Sequence, residues 1–534
     1  MRVNTAVLAA LILAALVAGG AVTYVLINNQ PSTVTTTVTT TATTTVTTTS
    51  SVTQGQNQTQ QPTNYGELLK EVVYKISELR TRGYDVLLAE YYVLSAKYLW
   101  STGERDAAVN ALMKASEIIQ NPQPLPEVKE PAINFRVVPS VTDVNRVPST
   151  WDFVPLGKVF VLTKEGYLEY PRNDYVAWEL SCFILAAIGR DSEGHLVLYQ
   201  GRLPMKPEEN PFKPKVYVNG EWYVPNIVFA GPLYYKSGPG YVEVYEYDLS
   251  GKYVETLTYV PSNRTWIHTL SRVGGETILR MVAHGEGVPM WLGEWGKTFM
   301  IHGAYPKDKA FDLWAGFWDV GPMSATLNVR GREVRITGYL VVDRASHRRL
   351  PINESERRFA GGAPLAFSCM VVRQGEDVTV MVTDTHVPKP LNPPTHPEHQ
   401  VRINVPYLNF TAITTNFTLT DNGGLQPSEF RLVAWFDGGY VNLTGKALVY
   451  WPPRWATGKG TWWRSDAGFS WGRAFIKWEG VVVIHGGNPK KNAVIKVNAL
   501  GVGEFTRYSI AAPCGTNTCP EGGGCWCTTT MPWG

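Results

Sequence analysis

Past the middle of the 534-residue chain an acid stands beside a base at the end of an alternating stretch: Ala325 to Val329, a turn at Arg330-Gly331, Val334 to Val342, then Asp343 and Arg344. A carboxyl drawn into an apolar pocket is pushed toward its neutral form and can donate a proton, whereas a guanidinium beside it holds it ionised. Asp343 with Arg344 therefore reads two ways, as a proton donor or as an ion pair closing the end of a barrel. His386, His396, Glu398 and His399 form a second cluster. His396 and His399, three apart, would suit a metal on a helix, but Pro393, Pro394 and Pro397 forbid one, so the segment reads as an interdomain linker and no metal is expected. Cys514, Cys519, Cys525 and Cys527 crowd a Gly-rich tail. Outside the cytoplasm they read as two disulfides with three connectivities open. A Cys₄ zinc site is the rival, and the single residue between Cys525 and Cys527 does not match its usual spacing. Cys182 and Cys369 fall within strands and read as buried residues that would pair if close. No zincin pair, nucleophile elbow, phosphate loop or paired-carboxylate hydrolase motif is present.

The elements that must position these groups begin with an unbroken apolar run, Ala6 to Ile27, long enough at ~1.5 Å per residue to span a bilayer core. Arg2 before it places the N-terminus in the cytoplasm and the bulk outside, a single-pass cell-membrane protein. A cleaved signal peptide ending near Ala18-Gly19-Gly20-Ala21 is the alternative. Ser32 to Thr53 is a Thr-rich tract that buries no core and reads as an extended stalk. Six sequons, at Asn57, Asn263, Asn353, Asn409, Asn416 and Asn442, agree with export and mark glycosylation candidates on the surface.

Glu67 to Ile119 carries apolar residues at helical spacing, broken at Gly83 and at Ser101-Thr102-Gly103, which predicts a small bundle with Tyr84, Tyr91, Tyr92 and Tyr98 in its core. Past the proline-rich Asn121 to Pro131 the period becomes alternating. Hairpins are expected around Asp191 to Gly194, Asn219-Gly220, Asp248 to Gly251 and Arg330-Gly331. Further strands are expected at 431–436, 440–450, 475–484 and 493–500. The chain is thus mainly β, divided into an anchor (1–30), a stalk (31–64), a helical module (65–121), two tandem antiparallel barrels (132–350 and 351–512) and a Cys-rich tail (513–534). Net charge is only +3 and spread without blocks, which argues against nucleic acid as a partner.

The stretch from Trp318-Asp319-Val320-Gly321 through the hairpin to Asp343-Arg344 resembles a motif of the carotenoid 1,2-hydratase (hydroxyneurosporene synthase) and AttH-like family. Lys477-Trp478-Glu479-Gly480 with Gly501-Val502-Gly503-Glu504-Phe505-Thr506-Arg507-Tyr508 is similar to that family's closing pattern, and Ala177-Trp178-Glu179 is loosely similar to its first strand. The resemblance spans about 159–508. It implies paired lipocalin-like barrels, an apolar ligand such as an isoprenoid or lipid, and no redox cofactor. It also implies a proton-donating acid at Asp343 flanked by Arg344. Trp178, Trp318, Trp478 and Glu479 are the ligand-binding candidates it suggests, and Trp291 joins them from the Gly- and Trp-rich stretch after His284-Gly285-Glu286-Gly287. The chain departs from the pattern after the acid, where Ala345-Ser346-His347-Arg348-Arg349 replaces an aromatic and a glycine. Trp451, Trp455, Trp462, Trp463, Trp471 and Trp478 support a rival reading, a glycosylated surface protein that binds polysaccharide or neighbouring surface-layer proteins.

Overall fold

The computed structural model describes residues 64–509 except 126, 130–146, 149, 154–157, 164–165, 172–177, 205–212, 224–225, 293–299, 305–310, 330, 350–365, 387–398, 423–426, 451–453, 458–467 and 486–491. The expected anchor, stalk and Cys-rich tail lie outside the described residues, as do Asn57, Asn353, His396 and Glu398. Among the described residues no helix is long and apolar enough to cross a membrane.

Three helices open the described chain: α1 (Tyr65–Thr81), α2 (Leu87–Thr102) and α3 (Arg105–Gln120). Asn64 caps α1 by accepting from the Gly66 N–H at 3.1 Å. Gly103 ends α2 in the left-handed region at φ 90°, where a side chain would be strained. Val72, Ile76, Ala96 and Leu112 fill the core between the helices. The tyrosines divide: Tyr91 turns away from that core, and its hydroxyl donates to the Asp248 carbonyl at 2.8 Å. Ser95 donates to the Leu249 carbonyl at 2.6 Å. The helical module is thereby docked on a turn of the first sheet.

That sheet has thirteen strands. In chain order they are β1 (Trp178–Asp191), β2 (Leu196–Pro204), β3 (Lys215–Val218), β4 (Glu221–Tyr223), β5 (Tyr234–Gly238), β6 (Tyr241–Tyr247), β7 (Tyr253–Val260), β8 (Thr265–Arg272), β9 (Thr277–His284), β10 (Met290–Leu292), β11 (Met300–Ala304), β12 (Phe311–Val329) and β13 (Arg332–Arg349). The pairing order is β5-β6-β7-β8-β9-β12-β13-β1-β2-β3-β4, with β10 and β11 added to β12. The expected turn at Asn219-Gly220 forms with φ 49° and 90°, as a two-residue hairpin loop requires. The second sheet has ten strands: β14 (Ala366–Gln374), β15 (Val378–His386), β16 (His399–Val405), β17 (Phe410–Thr414), β18 (Phe417–Asp421), β19 (Glu429–Phe436), β20 (Gly439–Tyr450), β21 (Arg454–Thr457), β22 (Gly468–Ile484) and β23 (Ala493–Ser509). Its order is β17-β16-β15-β14-β23-β22-β20-β19-β18, with β21 on β22.

Both sheets are large and curled, each wrapping its own core, and among the described residues neither is closed by pairing of its end strands. The first core is occupied by rings: Phe153, Tyr259 and Trp266 stack with centroids 4.3 to 5.5 Å apart. In the second, Trp478 is fully buried against Phe430. Both interiors are packed with side chains. A third apolar layer lies between the sheets, where Trp318, Val320 and Val341 meet Val371, Phe475 and Val502. The strands that face it are buried on both sides, which is why they read as near-continuous apolar runs.

Candidate active site

β13 delivers the acid. Side chains alternate along a strand. Leu340 and Val342 enter the first core, while Tyr339 and Val341 face the layer between the sheets. By the same alternation Asp343 faces that layer and Arg344 faces the core. Arg344 donates to the Cys182 carbonyl at 3.3 Å, and its guanidinium lies 5.0 Å from the Phe183 ring centroid. The Asp343–Arg344 ion pair is therefore corrected: consecutive strand residues diverge, and Asp343 finds its cation on the other sheet.

That cation is Arg473 of β22, whose Nη2 is 3.4 Å from Asp343 Oδ2. The same nitrogen donates at shorter range to Glu504 of β23. Register explains the assembly. Arg473 pairs with Glu504 across β22 and β23, Glu504 with Cys369 of β14, and Asp343 with Trp318 of β12. The Cys369 thiol donates to Thr383 Oγ1 at 3.2 Å, and Cys182 and Cys369 form no disulfide with each other.

Burial pushes the Asp343 carboxyl well above the usual carboxylate range, and the Glu504 charge pushes the same way; Arg473, the Trp318 indole and Arg344 oppose them. Asp343 Oδ1 and Trp318 Nε1 lack a hydrogen bond of full geometry, so the indole acts on the carboxyl as a nearby dipole rather than a clamped donor. One guanidinium between two carboxylates would leave a net negative charge in an apolar layer. Keeping one proton removes that cost.

The other expected residues are placed elsewhere. Trp478 enters the second core, and its neighbour Glu479 points to the outer face, 2.6 Å from Lys477. Neither joins Asp343. The β1 backbone sets Trp178 opposite Arg348, and β10 sets Trp291 opposite Phe317. Asn263, Asn409, Asn416 and Asn442 are all exposed.

The Gly-rich loop expected to line a pocket mouth links the two sheets. Glu286 pairs with Arg373, Asn404 donates to the Val288 carbonyl at 3.3 Å, and Arg402 donates to the Pro289 carbonyl at 2.5 Å. Burial lowers the Arg402 pKa to about 9. Beneath the loop, buried Asp319 accepts from Arg264 at 2.5 Å and from the Trp266 indole at 2.8 Å.

Three more features were not singled out in the sequence. Within the first core, Glu255 hydrogen-bonds His268 at 2.6 Å and Tyr199 at 3.2 Å. Asp191, Glu193 and His195 are spaced for a metal ion in an exposed turn, but Glu193 is already paired with Arg332. A groove of about 570 Å³ opens on the outer face of the second sheet, lined in part by Asp421, Glu429, Arg431, Lys446, Lys477 and Glu479, away from Asp343.

No family model matches the chain, and no curated protein matches it. Among solved structures, CghA with Sch210972 is similar at 11% identity and a TM-score of 0.37, over 61% of this chain and 88% of that one. A putative AttH from Nitrosomonas europaea is similar at 9% and 0.34, over 61% and 92%. Kievitone hydratase from Nectria haematococca is similar at 9% and 0.33, over 61% and 89%. Likeness of this degree does not carry chemistry from those proteins to this one.

Proposed function

We propose that the layer between the two sheets is the site of an acid catalyst acting on a long apolar molecule with a carbon–carbon double bond, an isoprenoid or lipid. The observation that carries this reading is Asp343, a carboxyl buried at 3% exposure against an indole, facing a guanidinium already engaged by a second carboxyl. The finer reading places the chain with the carotenoid 1,2-hydratase and AttH-like proteins, on the strength of its two motifs. It makes the protein a hydratase, isomerase or cyclase that needs no redox cofactor. We also read the N-terminal run as a membrane anchor that keeps the site near its apolar substrate, with the bulk outside the cytoplasm.

The chemistry follows from the groups present. Neutral Asp343 transfers its proton to one alkene carbon; a C–H bond forms as the π bond breaks, and the adjacent carbon becomes cationic. The indole face of Trp318 is suited to stabilise that charge. In hydration, water adds to the cationic carbon and the Asp343 carboxylate takes up the proton water releases. In isomerisation, the carboxylate removes a proton from a neighbouring carbon instead. Arg473 supports the transient carboxylate in both cases. General acid catalysis of this kind contributes roughly 10²- to 10⁴-fold.

A second reading rests on the outer groove of the second sheet. Trp435 and Tyr440, cross-strand partners on β19 and β20, are exposed on that sheet. They and the groove's mixed charges suit a neutral polysaccharide. One experiment separates the two readings. Full-length protein purified from its own membranes is examined by native mass spectrometry with organic extraction. A bound isoprenoid or lipid, transformed by the wild type and not by Asp343→Asn, supports the first. An empty protein that retains a polysaccharide and no apolar probe moves the weight to the second.

A further inference from the structure

The layer between the sheets holds a polar group that acid chemistry at Asp343 does not use. Gln200 lies on β2, where Val197, Tyr199 and Leu203 face the first core and Leu198 faces the layer. Alternation therefore sends Gln200 into the layer beside Leu198. It is fully buried, and among the described residues neither its amide nitrogen nor its amide oxygen has a hydrogen-bond partner. A buried amide with both ends unmet costs free energy, and replacing it by an apolar side chain would remove that cost. Its presence there calls for a partner that enters from outside the chain.

Register fixes where that partner would reach. Gln200 pairs with Ala186 of β1, Ala186 pairs with Val341 of β13, and Asp343 is two residues further along β13. Two strand spacings and two residue rises separate Gln200 from Asp343 by ~12 Å. Both face the same apolar layer, on the same side of the first sheet. At the acid's end, the Trp318 indole lies beside the Asp343 carboxyl, its cross-strand neighbour.

We infer that Gln200 is a specificity residue that holds a polar end group of the substrate while Asp343 acts on its double bond. This rests on the acid-catalysis reading of the same layer and narrows its substrate. An amide presents a donor and an acceptor side by side, so its complement offers both in return: a hydroxyl, a carboxamide or a neutral carboxylic acid. The substrate is then not a pure hydrocarbon. It carries such a group roughly 12 Å from the carbon that receives the proton, a span of about eight to ten chain bonds.

The test uses the full chain and four probes built on an 18-carbon chain: oleamide, oleyl alcohol, methyl oleate and 1-octadecene. Binding is read by tryptophan fluorescence. In the wild type, the amide and the alcohol bind about tenfold tighter than the hydrocarbon, with the acceptor-only ester between them. Gln200→Met keeps the side chain's volume and removes both polar ends; it collapses the amide-to-hydrocarbon ratio about tenfold. Comparing this ratio between wild type and variant cancels differences in solubility between probes. If Gln200→Met does not fold, Gln200→Asn, which withdraws the same amide by one methylene, gives the same reading. Asp343→Asn leaves the ratio unchanged while abolishing turnover. A ratio that Gln200→Met or Gln200→Asn does not move overturns the role of Gln200 and leaves the acid reading standing. Failure of all four probes to bind overturns both.

Discussion

The guanidinium of Arg473 reaches from the second sheet to the carboxyl of Asp343 in the first, with 3.4 Å between Nη2 and Oδ2 although the two residues are 130 positions apart in the chain. The same guanidinium is shared with Glu504, so the two sheets meet at a charge cluster that neither could assemble alone.

Removing the shared cation leaves two carboxyls facing one another in an apolar layer. Arg473→Met should destabilise the protein by about 3–5 kcal/mol, the range for breaking a buried pair by deleting one partner. Arg473→Met combined with Glu504→Gln should recover a large part of that loss. Urea unfolding of the wild type, the single variant and the double variant measures both.

Glu504 is one of the influences that raise the Asp343 pKa. Glu504→Gln removes that repulsion and leaves Arg473 nearer to Asp343 alone. The pH at which the Asp343 proton is lost should therefore fall. A rate profile across pH should show its basic limb displaced toward acid in Glu504→Gln.

Stability should depend on pH with a definite sign. In the unfolded chain the Asp343 carboxyl titrates near about 4, and in the folded chain burial raises it. A raised folded pKa gives a contribution that is complete below the unfolded value. It is lost progressively as pH climbs from there through the folded value. Asp343→Asn has no proton to lose, so its unfolding free energy should decline less over that window. Chemical denaturation at a series of pH values, wild type against variant, tests the sign.

Gly321 of β12 is wedged under the loop that links the sheets: a Cβ there would lie 1.6 Å from the His284 carbonyl oxygen. Backbone cannot move aside as a side-chain tip can. Gly321→Ala should push the His284–Gly285 turn outward and cost about 1–3 kcal/mol. Amide hydrogen exchange over residues 284–290 should quicken in this variant, because the loop's contacts to Arg373, Arg402 and Asn404 loosen with it.

The hairpins were legible because alternation and turn chemistry are local. Asn219-Gly220, Asp191 to Gly194 and the Arg330-Gly331 turn specify their own strands before any tertiary contact forms. Asp343 was legible through the motif around it, but its partner was not. Arg344 is adjacent in sequence, and strand alternation sends it to the opposite face. Trp478 and Glu479 part for the same reason, one into the second core and the other toward solvent, and neither meets Asp343. The missed signal lies in charges set within apolar runs. Arg473 precedes Ala474-Phe475-Ile476, and Asp343 follows Leu340-Val341-Val342, in strands buried on both faces. A charge in such a strand has no solvent to face and must find polar partners on neighbouring strands or across the layer, as Arg473 does with Glu504 and Asp343. Which strands supply it depends on how the sheets dock, and that is long-range information absent from local spacing.

With its carboxyl raised by burial, Asp343 is expected to carry a proton in the folded protein near neutral pH. Infrared difference spectroscopy of the wild type against Asp343→Asn reads this directly, through the carbonyl stretch of a protonated carboxyl group. A protonated-carboxyl band is expected at neutral pH in the wild type, absent from Asp343→Asn and lost from the wild type only as pH is raised further. A carboxylate signal at neutral pH, with the protonated band appearing only as pH falls toward about 4, would contradict it and reduce the cluster to a salt bridge that clamps two sheets.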